Sequence, residues 1–288
     1  MVKLTIYHAF IFIAVAYILI MSIFPMIYAV FASFTNWHLG LAQLDFTGTA
    51  NYAQVVADYR LYNSVYVTFL LLALCVPAEM LLGITLAQLM RAKIRFRAIF
   101  RTLCLLPLFV APVAVALMGE VIFYESGGPV NTLLNIIGVN TPPPWRSTLF
   151  WAPITTAICD IWLWTPFCFL ITLAALEGIP RELQEASVVD GASSFQIFRS
   201  ISLPLIGSAL ATILLFRVID TLRMFDIPMV LMGGGGPGIS TETISIYIYK
   251  VAFHNFTLGY AAALSLVMLL MIIVVATVFL GRLRRYYE

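Results

Sequence analysis

Charged side chains are scarce in this chain: Asp, Glu, Lys and Arg supply 10% of its 288 residues, where soluble domains carry roughly 25%. With 62% hydrophobic residues and a mean hydropathy of +0.99, there is too little polar surface to clothe a water-soluble globule. The few charges nearly balance, 16 basic against 14 acidic, so neither nucleic acid nor a polyanionic partner is implied. Cysteine is limited to Cys75, Cys104, Cys159 and Cys168, all in apolar runs and none in Cys-x-x-Cys spacing, which argues against a disulfide framework or a thiolate metal site. His8, His38 and His254 are scattered without a carboxylate or Cys at ligand spacing, so no metal is expected. No Gly-x-x-x-x-Gly-Lys-Ser/Thr run occurs, and Gly233 to Gly238 lacks the Lys-Ser/Thr of a phosphate cradle. With no nucleophile and base at a workable spacing either, the chain reads as neither an ATPase nor another enzyme, and no cofactor is expected in it.

What the chain does have is long uncharged runs. A helix crossing a bilayer needs about 20 apolar residues, and a charge near the bilayer centre is expensive. The gaps between charges then mark six spans, at about 8–34, 62–90, 99–124, 148–176, 201–227 and 256–280. The first is too long for a signal-peptide core and is not followed by a small-x-small cleavage pattern, so it is expected to remain in the mature protein. Glu79 interrupts the second span, Asp160 the fourth, and Arg217, Asp220 and Arg223 the fifth.

An even number of spans puts both termini on one side. Arg91, Lys93, Arg95, Arg97 and Arg101 lie between spans two and three, and Arg282, Arg284 and Arg285 close the chain. The segments after spans one and three hold only Arg60 and Arg146. By the excess of basic residues in cytoplasmic loops, both termini are expected in the cytoplasm, with Leu39 to Tyr59, Glu125 to Arg146 and Met232 to Asn255 outside. Glu177 to Ser200 then faces the cytoplasm, and it is long, polar and patterned. Pro180 suits a first helical turn, Glu182 and Glu185 suit the positive end of a helix, and Leu183, Ala186 and Val189, with Val188 beside them, line one face. Gly191 can supply a left-handed stop. A second short amphipathic stretch follows at Ser194 to Ile201. This helix, turn and helix is shaped to dock into another protein.

Glu185-Ala186-Ser187, Asp190-Gly191-Ala192 and Ile201-x-Leu203-Pro204 resemble the Glu-Ala-Ala loop of the permease subunits of ATP-binding-cassette importers, with Ser187 in place of the second Ala. The likeness continues through Ser33-Phe34-Thr35-Asn36-Trp37, Asn51-Tyr52, Phe100-Arg101-Thr102, Leu106-Pro107 and Trp162-x-Trp164-Thr165-Pro166-Phe167. It ends with Gly235-Gly236-Pro237 and Ser240-Thr241-Glu242-Thr243, where four glycines precede the proline instead of the usual three. In that order these landmarks are similar to the carbohydrate-importer permeases of the type of the maltose transporter's larger permease. The resemblance implies the plasma (inner) membrane of a bacterium or archaeon, a second homologous permease as heterodimer partner, two ATPase subunits, and an external binding protein that delivers a sugar. It also implies that Glu185, Ala186, Asp190 and Gly191 enter a cleft of the ATPase and couple it to transport. The glycine run reads either as a flexible external loop that feels the binding protein or as a turn out of span five.

On span five, Arg217, Asp220, Thr221 and Met224 fall at i, i+3, i+4 and i+7, one helical stripe. In the family that position is similar to the face that meets sugar, and Trp164 and Phe167 of span four match the facing positions. Sugars present hydroxyl edges to polar groups and C–H faces to rings, so the set suits the task. The alternative is an Arg217–Asp220 pair that satisfies itself. For Glu79 and Asp160 a packing role is favoured over lining the path, and Trp145, Trp151 and Trp162 serve equally as interface anchors. The expectation is an all-α, six-span permease without a catalytic residue that moves a sugar by alternating access; an ATPase-independent secondary transporter or channel would need no docking loop. Arg217 leaves neutral and anionic sugars both open.

Overall fold

The computed structural model describes residues 2–40, 45–91 and 95–287, with their side chains except at 2–7, 9, 184 and 282–287. Lys93 and the side chains of Arg282, Arg284 and Arg285, used above for orientation, lie outside the described residues. The described chain is helical: α1 (Val2–Ser33), α2 (Ala50–Ala57), α3 (Tyr59–Met90), α4 (Arg97–Leu105), α5 (Pro112–Ile122), α6 (Pro129–Ile136), α7 (Trp151–Glu177), α8 (Arg181–Val189), α9 (Ser194–Ile197), α10 (Leu203–Leu205), α11 (Gly207–Leu222), α12 (Asp226–Leu231), α13 (Ile244–Phe253) and α14 (Leu258–Tyr287). Four helices are long and apolar enough to cross a membrane, at Phe10–Ser33, Tyr59–Met90, Trp151–Glu177 and Leu258–Gly281, and two bent pairs bring the number to as many as six.

The chain forms two compact units. The smaller holds residues up to Leu61 together with Tyr247–Val274. Its α1 is apolar around its whole circumference, with Phe10, Phe12, Tyr17 and Phe24 all more than 60% exposed, as a helix surrounded by lipid or by a partner would be. The corner after α1 shows why its residue types recur. Asn51 Nδ2 donates to the carbonyls of Ser33 and Thr35 at 2.8 and 2.9 Å, satisfying groups that the end of α1 leaves without an intrahelical partner, and Tyr52 and Ser33 share a hydroxyl hydrogen bond of 2.8 Å. Gly259 sits so close that a Cβ there would lie 2.2 Å from the Thr35 carbonyl oxygen. Asp58 accepts from the hydroxyls of both Tyr247 and Tyr260. Burial alone would raise the Asp58 carboxyl, but these two hydroxyls and the Leu61 and Arg60 amides outweigh it and hold the group below the ordinary carboxylate value.

The larger unit holds Tyr62–Ile246 and the residues from Val275 onward. Helix α7 is its centre. At Gly83 a Cβ would stand 2.5 Å from the Cys168 Cβ, so α3 and α7 cross at backbone contact and only glycine fits. Ala87, Met90, Phe169, Leu173, Leu176 and Ile206 form one buried cluster, and Val115, Ala116, Phe123, Trp145, Leu163 and Leu231 contribute to another. Trp145 belongs to this core, donating Nε1–H to Asn131 Oδ1 at 2.6 Å, while Trp162 is 44% exposed and remains available at the surface. Glu125 accepts from the Arg146 and Ser147 amides at 2.7 and 2.9 Å. Burial works upward on this carboxyl too, but those bonds and the Ser147 hydroxyl hold it below its usual value.

Two expected spans are not single rods. Over 99–124 the chain runs through α4, a 3-10 turn at Leu106–Phe109 and then α5, bent by 99°. Pro112 causes the break: proline lacks an N–H, and the residue before it is pushed out of the helical region, as Ala111 is at φ −64°, ψ 139°, whereas Leu106 before Pro107 stays helical. Over 201–227 the chain passes a π-helical stretch at Phe198–Ser202, bends by 68° near Ile206, and stops again after Leu222. Uncharged length carries no information about these bends.

Candidate translocation site

Arg217 lies on α11 and is 1% exposed, so its charge must be met by protein. It is met by three carboxylates from three helices. Glu79 of α3 accepts from Nε at 2.5 Å and from Nη2 at 2.9 Å, Asp160 of α7 from Nη2 at 2.9 Å, and Asp220 of α11 from Nη1 at 2.7 Å. The guanidinium face lies over the Trp164 ring, 4.6 Å from its centroid. Glu79 is fully buried and Asp160 nearly so, whereas the Asp220 side chain is 43% exposed. The Arg217–Asp220 pair weighed as the alternative is present, but it does not satisfy itself: it sits within a larger network that the helical stripe did not disclose. Glu79 and Asp160 are both bonded to a neighbouring helix, and Asp160 also lines the cleft described next. Cys75, Glu79 and Asp160 also bring possible ligand atoms within 4.8 Å of one another, but the Arg217 guanidinium already supplies the positive charge between the two carboxylates, so the set does not fit a resident metal ion.

Beside this network opens a cleft of about 150 Å³ lined by Asp160, Trp164, Asp220, Thr221, Met224 and residues of the break after α11. Four of the six residues expected along the solute path line it. Arg217 does not: it is buried behind Asp160 and Asp220, to which it donates, and Phe167 packs against Trp164 and Phe216 with ring centroids 6.1 and 6.2 Å away. The cleft exists because α11 ends: the Arg223 and Met224 amides turn back to the Asp220 and Thr221 carbonyls at 3.0 and 3.1 Å, and α12 starts at Asp226. The Met224 carbonyl freed by this break accepts from Thr243 Oγ1 at 2.8 Å. Thr241, Glu242 and Thr243 are wholly buried, so this stretch anchors the break from within the unit. The adjoining glycine run is packed too, with Gly234 and Gly235 buried and the Gly235 carbonyl accepting from the Thr241 amide at 2.9 Å. Arg223, Phe225, Asp226 and Pro112 also line the cleft and were missed as site residues; Arg223 and Asp226 had a signal in the sequence, as charges inside a span.

Residues 79–285 match the family of binding-protein-dependent transport system inner membrane components. The chain belongs to that family. It is a multi-pass inner-membrane permease subunit of a carbohydrate importer of the ATP-binding-cassette class, working with a second permease, with ATPase subunits that carry the hydrolytic activity, and with a substrate-binding protein. The permease is 36% identical over 245 residues to the trehalose/maltose transport system permease protein of Thermococcus litoralis, covering 83% of this chain and 81% of that one. It is 34% identical to the sulfoquinovosyl glycerol transport system permease protein of Agrobacterium fabrum, covering 91% and 85%. In fold it is similar to a chain of a bacterial transporter that imports the acidic polysaccharide alginate, with a TM-score of 0.85 over 98% of this chain and 96% of that chain, at 22% identity.

In the permease's loop 177–200, Pro180 is the N-cap of α8, one place before the expected first turn, with Glu182 in that turn. Glu185, Ala186, Asp190 and Gly191 are all exposed, and Gly191 has φ +81°, the left-handed stop its type suggested. Ser193 and Gln196 close a reciprocal capping box on α9. Leu183, Val188 and Val189 are 45%, 63% and 87% exposed, apolar side chains left uncovered among the described residues.

The network predicts an asymmetric response to mutation. Breaking a buried ionic set by removing one partner costs roughly 3–5 kcal/mol, so Arg217→Met, which strands Glu79 and Asp160, should reduce assembled complex to a small fraction of wild type. Asp220→Asn, half exposed and still able to accept a hydrogen bond, should assemble normally. Size-exclusion profiles of the detergent-solubilised complex decide it, and normal assembly of Arg217→Met would refute the structural role.

Proposed function

We propose that this permease contributes one wall of a sugar path at the cleft of Asp160, Trp164, Asp220, Thr221 and Met224, and that Glu185, Ala186, Asp190 and Gly191 in loop 177–200 seat it on an ATPase subunit. The two bent helix pairs each count as one span in this reading, giving six spans with both termini in the cytoplasm. The observation that carries the path assignment is the Thr221 hydroxyl. It is 1% exposed, makes no hydrogen bond and borders the cleft, so a buried donor and acceptor is left for something that enters. Sugar hydroxyls supply that partner, and Trp164 supplies an apolar face. Related permeases are named for neutral trehalose and maltose and for a sulfonated sugar glycoside, which supports a sugar as the solute and leaves its charge to be settled by the site. The docking assignment rests on the exposed apolar face of α8 beside its acidic residues and on the absence of bulk at Gly191, where a Cβ would meet nothing within 4 Å.

Three measurements test this reading. Thr221→Val removes an unpartnered buried hydroxyl without changing side-chain shape, so folding should be unaffected or improved, while sugar uptake by the complete importer should fall about tenfold, the loss of one hydrogen bond of roughly 1.4 kcal/mol. Full uptake at full assembly would remove this cleft from the path. Gly191→Leu forces a branched side chain into a left-handed backbone conformation and adds bulk at the docking face, so basal ATP hydrolysis should persist while its stimulation by the loaded binding protein disappears. Retained stimulation would refute the docking site. Single cysteines at Ala50 and Ile239 should react with an impermeant thiol reagent in intact cells and one at Ser194 only after permeabilisation; the opposite pattern would invert the topology.

A further inference from the structure

Charge around the cleft is unbalanced. Arg217 is its nearest buried cation, yet all three of its carboxylate partners face it within hydrogen-bond distance, and two of them, Asp160 and Asp220, also line the cleft. Arg223, the one basic residue lining the cleft, shares it with Asp226, and both are exposed. Two guanidinium groups thus stand against four carboxylates. The unpartnered Thr221 hydroxyl, buried at 1% exposure, marks the same cleft as a place where a polar ligand completes a hydrogen bond.

We infer that this cleft selects its sugar by charge, admitting neutral or amino-bearing sugars and rejecting those that carry a carboxylate, sulfonate or phosphate. The inference rests on reading the cleft as part of the solute path. Sugar O–H and ammonium groups donate to the partly exposed Asp220 oxygens, which when ionised accept hydrogen bonds and donate none. An anionic substituent would find the Arg217 donors already bonded to Glu79, Asp160 and Asp220 and would itself face the carboxylates. A cleft whose lining charge is mostly of one sign, in low-dielectric walls, raises the local concentration of counter-ions by about 10–10³-fold and lowers that of co-ions correspondingly.

The local field can be read without knowing the natural sugar. In the importer assembled with its partner subunits, with the four native cysteines replaced by alanine, Phe225→Cys places a thiol in the cleft lining. Its reaction with the trimethylammonium-ethyl and sulfonato-ethyl methanethiosulfonates is compared with the rates of the same reagents on a small free thiol. The cationic reagent should be favoured by about tenfold or more after this correction, and Asp220→Asn should narrow the preference severalfold. Equal rates, or a preference for the anion, would overturn the inference. Pro112→Cys gives a second reporter in the lining should Phe225→Cys fail to assemble. Uptake separates this failure from that of the path reading. Transport of a uronic-acid or sulfonated sugar that is lost in Thr221→Val would refute charge selection while supporting the path. A cationic preference with uptake untouched in Thr221→Val would mean the acidic cleft is real but stands off the route, and the inference falls with the route.

Discussion

The buried guanidinium of Arg217 is the constraint around which the larger unit is organised. A cation in a mostly apolar bundle is tolerated only with close, geometrically good partners, and Glu79 provides a two-point clasp while Asp160 and Asp220 complete the shell. Because those partners come from α3, α7 and α11, the network fixes three helices in register, as apolar packing alone would not: Leu or Val can slide by a fraction of a turn at little cost, whereas a bidentate ion pair cannot. Its excess of carboxylates also sets the polarity of the cleft next to it.

The same economy of polar groups governs the broken helices. Within a bilayer, irregular backbone survives only where protein or a cavity satisfies it. At the end of α11 the amides of Arg223 and Met224 fold back on the last turn and Thr243 takes the Met224 carbonyl, so the interruption leaves side chains of Arg223, Phe225 and Asp226 at the cleft while these three main-chain groups stay bonded. The Thr-Glu-Thr stretch after the glycine run, noticed in the sequence only as a landmark, has this physical task among others: it holds a helix break closed from behind. Asn51 does the corresponding work at the end of α1.

Much of this was legible in the sequence because it follows from period and charge. Uncharged length located the long apolar helices, the 3.6-residue period put Asp220 and Thr221 on one stripe although Met224 lies beyond the end of α11 at Leu222, and Gly191 was read correctly as a left-handed stop. The bends were not legible from hydropathy, since a proline-broken span and a straight one have the same apolar length; Pro112 was the available signal. Nor was the true environment of Arg217. A helical stripe shows which residues share a face, but Glu79 lies 138 positions away in sequence and was visible only as an isolated acid in a span. Its burial made it a candidate for a partner, while nothing in its local pattern said which one.

The loop at 177–200 and the cleft are joined by two unlike arms. Toward α7 the link is short and stiff: Arg97 and Glu177 pair at 2.6 Å at the base of the helix, and from there to Trp164 runs a continuous helix of about 20 Å at roughly 1.5 Å per residue, which Pro166 does not interrupt. Toward α11 the link passes through the π-helical stretch Phe198–Ser202 and the 68° bend near Ile206, both places where helical hydrogen bonding is already irregular. A push on α8 and α9 would therefore travel undiminished along α7 and be partly absorbed before α11. The two helices meet again at the Asp160–Arg217 bond, so unequal motion would appear there as shear, beside the cleft. An ionic contact resists such shear up to a point and then exchanges partners, and Arg217 has Glu79 and Asp220 within the same shell to hold it while Asp160 moves. A buried network with more acceptors than its cation strictly needs can keep that charge bonded while one partner shifts.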